Sequence, residues 1–328
     1  MRTLLCLLLV ACHDPDLAKV VLIESDASSN TEAPPSDDVA PEEDASPDGD
    51  GPPPVVADPL ASGEEALSLL VVVDRMIFPR IGDDGRTIFG LDLDGKVSDE
   101  SDETTCGKLD QISPEGVEGI DNQLSTVIPL FEFVGLGAFE TLVQRAIDEG
   151  GLLILFQLDG IDDLVNDPEV TMTLRLGSGV PLLGTDGRLL AGQTYSLHPE
   201  SPEQAFDVRI EDGVMVASGV DTRIPIVVFG VLYELTFEKA EFRVPITPDG
   251  VISGGMMAGQ VPLSDLIGIA AKANNNDDSI LESVQAVLAG VTDLGYEDGQ
   301  CTRLSAAIQF GAVSAFLFED HFTPAPPP

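Results

Sequence analysis

Leu304-Ser305-Ala306-Ala307-Ile308-Gln309-Phe310-Gly311-Ala312-Val313-Ser314-Ala315-Phe316-Leu317-Phe318 is the stretch whose reading decides the fold. With a period of two, Ala306, Ile308, Phe310 and Ala312 fall on one side, and Ser305, Ala307, Gln309 and Gly311 on the other. That is a strand with one core face and one face of small residues that permits close packing.

Working outward, further strands are expected at Leu67–Val73 with Ile77-Phe78, at Thr87–Phe89, Leu152–Leu158, Val170–Leu176, Phe206–Ile210, Val214–Ser218, Ile224–Phe237 and Ala240–Ile246. Turn pairs such as Asp186-Gly187, Asp212-Gly213 and Asp249-Gly250 separate several of them. Helical spacing is confined to Ala138–Asp148, Ser264–Ala273 and Asp278–Ala289. Strands that follow strands predict a mainly β (α+β) fold, an antiparallel sheet or sandwich with two or three covering helices.

The chain has 328 residues, no Trp and 5% aromatics against 43% hydrophobic residues, which predicts an aliphatic core. Its formal net charge is −41. Residues 24–65 hold thirteen acids and no base, and residues 1–23 balance, so the remainder carries −41 + 13 = −28. Such a field repels nucleic acid and anionic headgroups and favours cations or basic partners. It also suits solubility in a saline setting. Residues 24–65, rich in Asp, Glu, Pro, Ser and Ala, read as a disordered acidic linker. Residues 66–321 read as a single β-rich domain and residues 322–328 as a flexible tail.

At the start, Met1-Arg2-Thr3 precedes the short apolar run Leu4–Ala11, the build of an export signal over residues 1–11. Leu9-Val10-Ala11-Cys12 resembles the lipobox of bacterial lipoproteins. The resemblance implies cleavage before Cys12, covalent lipid on Cys12, a lipidated segment 12–23 and anchoring in the cell envelope, by default at the outer membrane. With Cys6 removed and Cys12 acylated, Cys106 and Cys301 remain, and in an oxidising compartment they are expected to pair.

Searching for catalysis returns absences. Gly-x-Ser-x-Gly, His-Glu-x-x-His, the phosphate-binding loop and Cys-x-x-Cys do not occur, and Gly135-Leu136-Gly137 lacks the third glycine of a dinucleotide loop. In the body only His198 and His321 are available as imidazoles, and both read as surface or tail residues. No catalytic residue is assigned.

One dense cluster does carry chemistry: Asp92, Asp94, Ser98, Asp99, Asp102, Asp110 and Asp121. Carboxylates and hydroxyls at this density suit a hard cation, Ca2+ foremost. Asp92-Leu93-Asp94-Gly95-Lys96-Val97-Ser98 resembles the middle of an EF-hand or dockerin calcium loop, with Asp92, Asp94 and Ser98 on ligand positions and Gly95 on the turn. It departs from that family in having Gly90 at the first position, Ser101 instead of Glu at the last, and no helical flanks. The competing reading is a solvated acidic loop.

The leading expectation is therefore a non-enzymatic, lipid-anchored envelope protein whose β-rich domain binds an unknown protein or apolar ligand, ordered by calcium. A carrier of lipid or another apolar ligand is the alternative, motivated by Ile224–Leu235 and by Gly254-Gly255-Met256-Met257-Ala258-Gly259. A hydrolase without a recognisable motif comes third.

Overall fold

The computed structural model describes residues 66–133, 139–199, 201, 203–228, 231–273 and 278–318. The expected export signal, Cys12, the acidic linker, Gly135-Leu136-Gly137, His321 and the proline-rich tail lie outside the described residues.

Among the described residues there are twelve strands: β1 (Leu67–Ile77), β2 (Gln111–Ile112), β3 (Glu118–Ile120), β4 (Leu153–Ile161), β5 (Asp167–Ser178), β6 (Gln193–Leu197), β7 (Gln204–Glu211), β8 (Val214–Val228), β9 (Val231–Pro245), β10 (Ile252–Pro262), β11 (Leu294–Glu297) and β12 (Gln300–Leu317). Four helices accompany them: α1 (Leu124–Phe133), α2 (Phe139–Asp148), α3 (Leu263–Ala273) and α4 (Asp278–Ala289). The expected antiparallel, mainly β class holds, and α2, α3 and α4 coincide with the three helical segments read from sequence.

The large sheet closes on itself. β1 pairs with β4, β4 with β5, β5 with β7, β7 with β8, β8 with β9, β9 with β10 and β10 with β12, all antiparallel. β12 then returns to β1, with Val71 opposite Ser314 and Ile77 opposite Gln309. The result is an eight-stranded ring in which each strand pairs with the next ring strand in sequence. β6 and β11 are side additions on β5 and β12.

Alternation sorts side chains between the inside and outside of this ring. Val73, Met76, Ile154, Phe156, Ile224, Met257, Ile308 and Phe310 surround an internal space of only about 10 Å³. Eight-stranded rings are narrow enough for side chains to fill. The core is mainly aliphatic, as expected, with a small aromatic group at its centre: Phe156 stacks on Phe310 at 5.4 Å and meets Phe242 edge-on at 6.2 Å. Gly255 makes room for this arrangement, because a Cβ there would stand 2.9 Å from the Phe310 ring. Outward positions on β7 and β9 include the exposed Asp207, Arg209, Glu211, Glu234 and Arg243. Charges out and apolar residues in is the opposite of a lipid-facing barrel.

Three expectations are corrected. Ile224–Phe237 is two strands, not one: Val228 of β8 lies opposite Val231 of β9, with residues 229–230 between them. Thr87–Phe89 forms no strand, only a bridge from Thr87 to Ile112. β10 runs through the glycine-rich segment, so Met256 and Met257 point to opposite sides, Met257 into the core and Met256 outward.

Two segments leave the ring and cover its outside. Residues 79–123 lie over β10 and β12, where Leu91 packs on Ala258 and Ala307, with Leu93 and Met256 against them. Residues 179–199 cover β1 and β4. Leu153 and Leu155, which alternate with the inward Ile154 and Phe156, are fully buried in one cluster with Leu189 and Tyr195. Helix α2 packs on β1 and β8, four strands apart around the ring, and so lies across one mouth. Val143 and Ile147 are its buried contacts with the core.

Candidate functional site

The first covering segment is tied down in its middle and at its far end. A 3-10 turn over Glu103–Thr105 leads into Cys106, which is bonded to Cys301 at the start of β12, with Cα atoms 6.1 Å apart. The expected disulfide is therefore present. At the far end, Asn122 Nδ2 donates to Phe89 O at 3.0 Å and Asn122 Oδ1 accepts from Ala307 N at 3.3 Å.

Between β11 and β1, the backbone of β12 is served by side chains instead of a strand. Ser305 N donates to Asp293 Oδ1 at 2.8 Å, Ser305 Oγ donates to Asp293 Oδ2 at 2.6 Å, and Ser305 Oγ accepts from Gln123 N at 2.8 Å. Buried backbone donors need such partners. The small-residue face of β12 is thus the floor on which a polar seam is built. Ala307 and Ser305 are short enough for Asn122 and Asp293 to reach the main chain.

Above this floor the aspartates separate into two groups. Asp92, Asp94 and Asp121 each place a carboxylate oxygen within 4.8 Å of the others, with Asp121 buried and the other two half-buried. The Asp-x-Asp-Gly turn aims the first two: Asp92 Oδ1 accepts from Gly95 N at 2.7 Å, Asp94 Oδ1 accepts from Lys96 N at 3.0 Å, and Gly95 has a φ of 76°. Asp121 is brought in by the β2–β3 hairpin through its bridge to Leu91, and its Oδ2 accepts from Leu93 N at 2.7 Å. Asp110 borders the group, accepting from Ser98 N at 2.6 Å and bonding to the Asp121 side chain.

Asp99 and Asp102 stand apart and serve local turns. Asp99 accepts from Ser101 N at 2.8 Å, and Asp102 caps the 3-10 turn by accepting from Thr104 N at 2.8 Å. The hydroxyls of Ser101 and Thr104, which donate to the same two carboxyls, and then these backbone bonds hold both carboxyls below their ordinary range. Ser98 is buried with its N–H on Asp110 and its hydroxyl 3.4 Å from Asp102. Three of the seven expected residues therefore converge, a fourth borders them, and Ser98, Asp99 and Asp102 do not join.

The convergent carboxylates are poorly compensated. Burial pushes Asp121 up to about 8, and the charges bearing on it most strongly, Asp293, Asp110 and Asp94, share its sign. Asp293 is pushed up to about 7, again by burial first. Burial likewise raises Asp110, with Asp94 and Asp92 adding to it. A cation is the physical remedy for such a group. Asp92, Asp94 and Asp121, with Asp110 beside them, are the residues that could hold one. They supply hard oxygen donors of the kind calcium takes.

Asp92 also belongs to a groove of about 410 Å³ between the covering segment and the outer wall of the ring. Phe89, Val117 and Met256 give it apolar walls, and Glu115, Arg243 and Gln309 give it polar groups. Met256 reaches this groove as the alternative reading expected, whereas Met257 does not. Sequence reading missed Arg243, Gln309 and Asp293. Nothing in the local sequence sets Asp293 apart from the other acids, and Arg243 becomes relevant only through the pairing of β9 with β10.

His198 lies half-buried after β6, its N–H on Leu176 O at 2.8 Å. It stands apart from the acidic cluster and from the groove, which it does not line. Compared with protein-family models, with curated proteins and with solved structures, the chain matches none of them.

Proposed function

We propose that the chain is a non-enzymatic binding protein of the bacterial cell envelope, anchored to the outer membrane through lipid on Cys12 and ordered by Ca2+ at Asp92, Asp94 and Asp121. The observation that carries the binding role is the meeting of three carboxylates within 4.8 Å on the wall of a groove of about 410 Å³. The cation would fix the covering segment, and the fixed segment would form one wall of the binding groove. Several acyl chains on one cysteine give durable anchoring without a membrane-crossing helix, and no helix among the described residues is long and apolar enough to cross.

The test is the melting temperature of the full chain in calcium and in excess chelator, beside the variant Asp94→Ala. A clear rise in calcium that Asp94→Ala removes is the expected result. Equal melting in both conditions would take the cation out of this reading. Intact mass of the purified chain tests the anchor separately, through the diacylglycerol increment on a chain beginning at Cys12.

A second reading, carriage of an apolar ligand, is favoured by Met256, Phe89 and Val117 in the same groove. The ring interior has space for about one water, so such a ligand would sit outside the ring. Co-purified lipid that disappears in Met256→Asp would support it.

A further inference from the structure

The groove beside the acidic cluster has polar groups that the cation does not use. Arg243 lies opposite Met256 in the β9–β10 pairing, and Met256 lies opposite Gln309 in the β10–β12 pairing. Directly opposed residues of antiparallel strands share a face. Arg243, Met256 and Gln309 therefore form one row across the outer wall of the ring, and all three line the groove. The two polar members of the row are unused. Among the described residues, neither the Arg243 guanidinium nor the Gln309 amide has a hydrogen-bond partner. Arg175, Arg209, Arg223 and Arg303, by contrast, each meet a glutamate at 4.0 Å or less. The charge of Arg243 reaches the half-buried Glu241 two residues before it, but the two form no ion pair.

The facing wall is a pinned turn. Ser113 N donates to Val117 O at 2.8 Å, Gly116 N donates to Ser113 O at 2.9 Å, and the Ser113 hydroxyl accepts from Glu115 N and Val117 N, both at 3.2 Å. A serine hydroxyl that bonds the main chain ahead of it fixes a turn. Glu115 and Val117 are thus held on the groove before any ligand arrives, which lowers the ordering cost of binding. Val117 is 56% exposed and Phe89, beside it on the groove, 41%.

Charge selects the occupant. The groove is lined by one basic group, Arg243, and two acids, Asp92 and Glu115, of which Asp92 belongs to the metal-binding group. A plain anion would meet Glu115 and the field of a chain with a net charge of −41, and a plain cation would meet Arg243. A molecule with one charge of each sign and no net charge meets neither penalty. A volume of about 410 Å³ is that of a small-molecule site.

We propose that the groove takes a short apolar peptide with both ends free. Its carboxylate bonds to Arg243 and Gln309, its ammonium bonds to Glu115, and its side chains lie against Met256, Phe89 and Val117. A guanidinium presents the planar fork that a carboxylate fits. This inference rests on the reading that the groove is the binding site and that a cation at Asp92, Asp94 and Asp121 fixes its outer wall.

The test is calorimetric titration of the full chain with leucyl-leucine, N-acetyl-leucyl-leucine and leucyl-leucine amide, in calcium and in chelator. In calcium the dipeptide with free ends should bind. Blocking either end should weaken it about tenfold or more, the worth of one hydrogen bond between charged groups. In Arg243→Gln the free dipeptide and its amide should bind alike, and in Glu115→Gln the free dipeptide and its acetyl derivative should bind alike. Both positions are exposed, and unchanged melting temperatures show that the variants remain folded. Equal binding of the three peptides to the unaltered chain would overturn the proposal, as would the absence of saturable binding of leucyl-leucine. If that absence came with the calcium-dependent rise in melting temperature intact, the ligand class alone would fall. Selectivity for free ends that persists in chelator would keep the ligand class and remove calcium from the groove.

Discussion

Residues 79–123 and residues 179–199 solve one problem, covering the outside of a closed ring, with opposite chemistry. The first lies over Ala258, Ala307 and Ser305 and is held by the Cys106–Cys301 bond and a seam of side-chain hydrogen bonds. The second lies over Leu153 and Leu155 and is held by the burial of Leu189 and Tyr195 together with the pairing of β6 to β5 and β12. Apolar burial and main-chain pairing suffice to hold a segment of chain on a sheet. A segment that buries carboxylates carries a desolvation cost that burial does not return, and it needs a covalent bond, a countercharge, or both.

The largest test of this contrast is removal of the disulfide by Cys106→Ser with Cys301→Ser. On chain-entropy grounds it should cost up to about 5 kcal/mol, and amide exchange should rise over residues 79–123 far more than over 179–199. Equal loosening of both segments would break the comparison. Next in size is Leu189→Ala, expected to cost about 2–5 kcal/mol as a buried truncation and to loosen the second segment alone. Ala307→Leu should cost about 1–3 kcal/mol by overfilling the floor of the polar seam, a loss read by denaturant unfolding and absent at exposed sites.

A pH series sharpens the comparison further. Asp121, raised from 3.8 to about 8, keeps a proton in the folded chain that the unfolded chain releases. In chelator, stability should therefore fall as pH rises from the ordinary carboxylate range to about 8. Asp121→Asn should flatten that slope, raise the melting temperature at pH 8 in chelator and remove the calcium response. A slope equally steep in the variant would shift the effect to the remaining acids. Smallest of all, Leu182→Asp on the exposed side of the second segment should change stability by no more than about 0.5 kcal/mol, read by denaturant unfolding.

The strand class was legible because period-two alternation in β12 and turn pairs such as Asp212-Gly213 are local signals. The break between β8 and β9 was not, since Val227-Val228-Phe229-Gly230-Val231 has no Asp, Asn or Pro to mark a turn. Helix α1 was missed for a related reason, as Pro129 inside it argues against a helix. Closure of the ring depends on β1 meeting β12 from the far end of the chain, a fact no window of sequence contains. The acidic cluster was legible as a density of carboxylates, and its Asp-x-Asp-Gly turn as a turn. Spacing could not say that Asp121 would arrive by way of a hairpin while Asp99 and Asp102 bonded their own neighbours.

β12 touches β1 on one side and β10 on the other, and also carries β6, β11 and Cys301. Among the described strands it is also the last to be synthesised. Until residues 300–317 emerge, the meander from β1 to β10 has two unsatisfied edges, and one late segment must complete both at once. Open edges of this kind invite pairing with other chains. A product stopped short of β12 would therefore be sticky at both ends, and timely completion of the chain is itself a protection against aggregation.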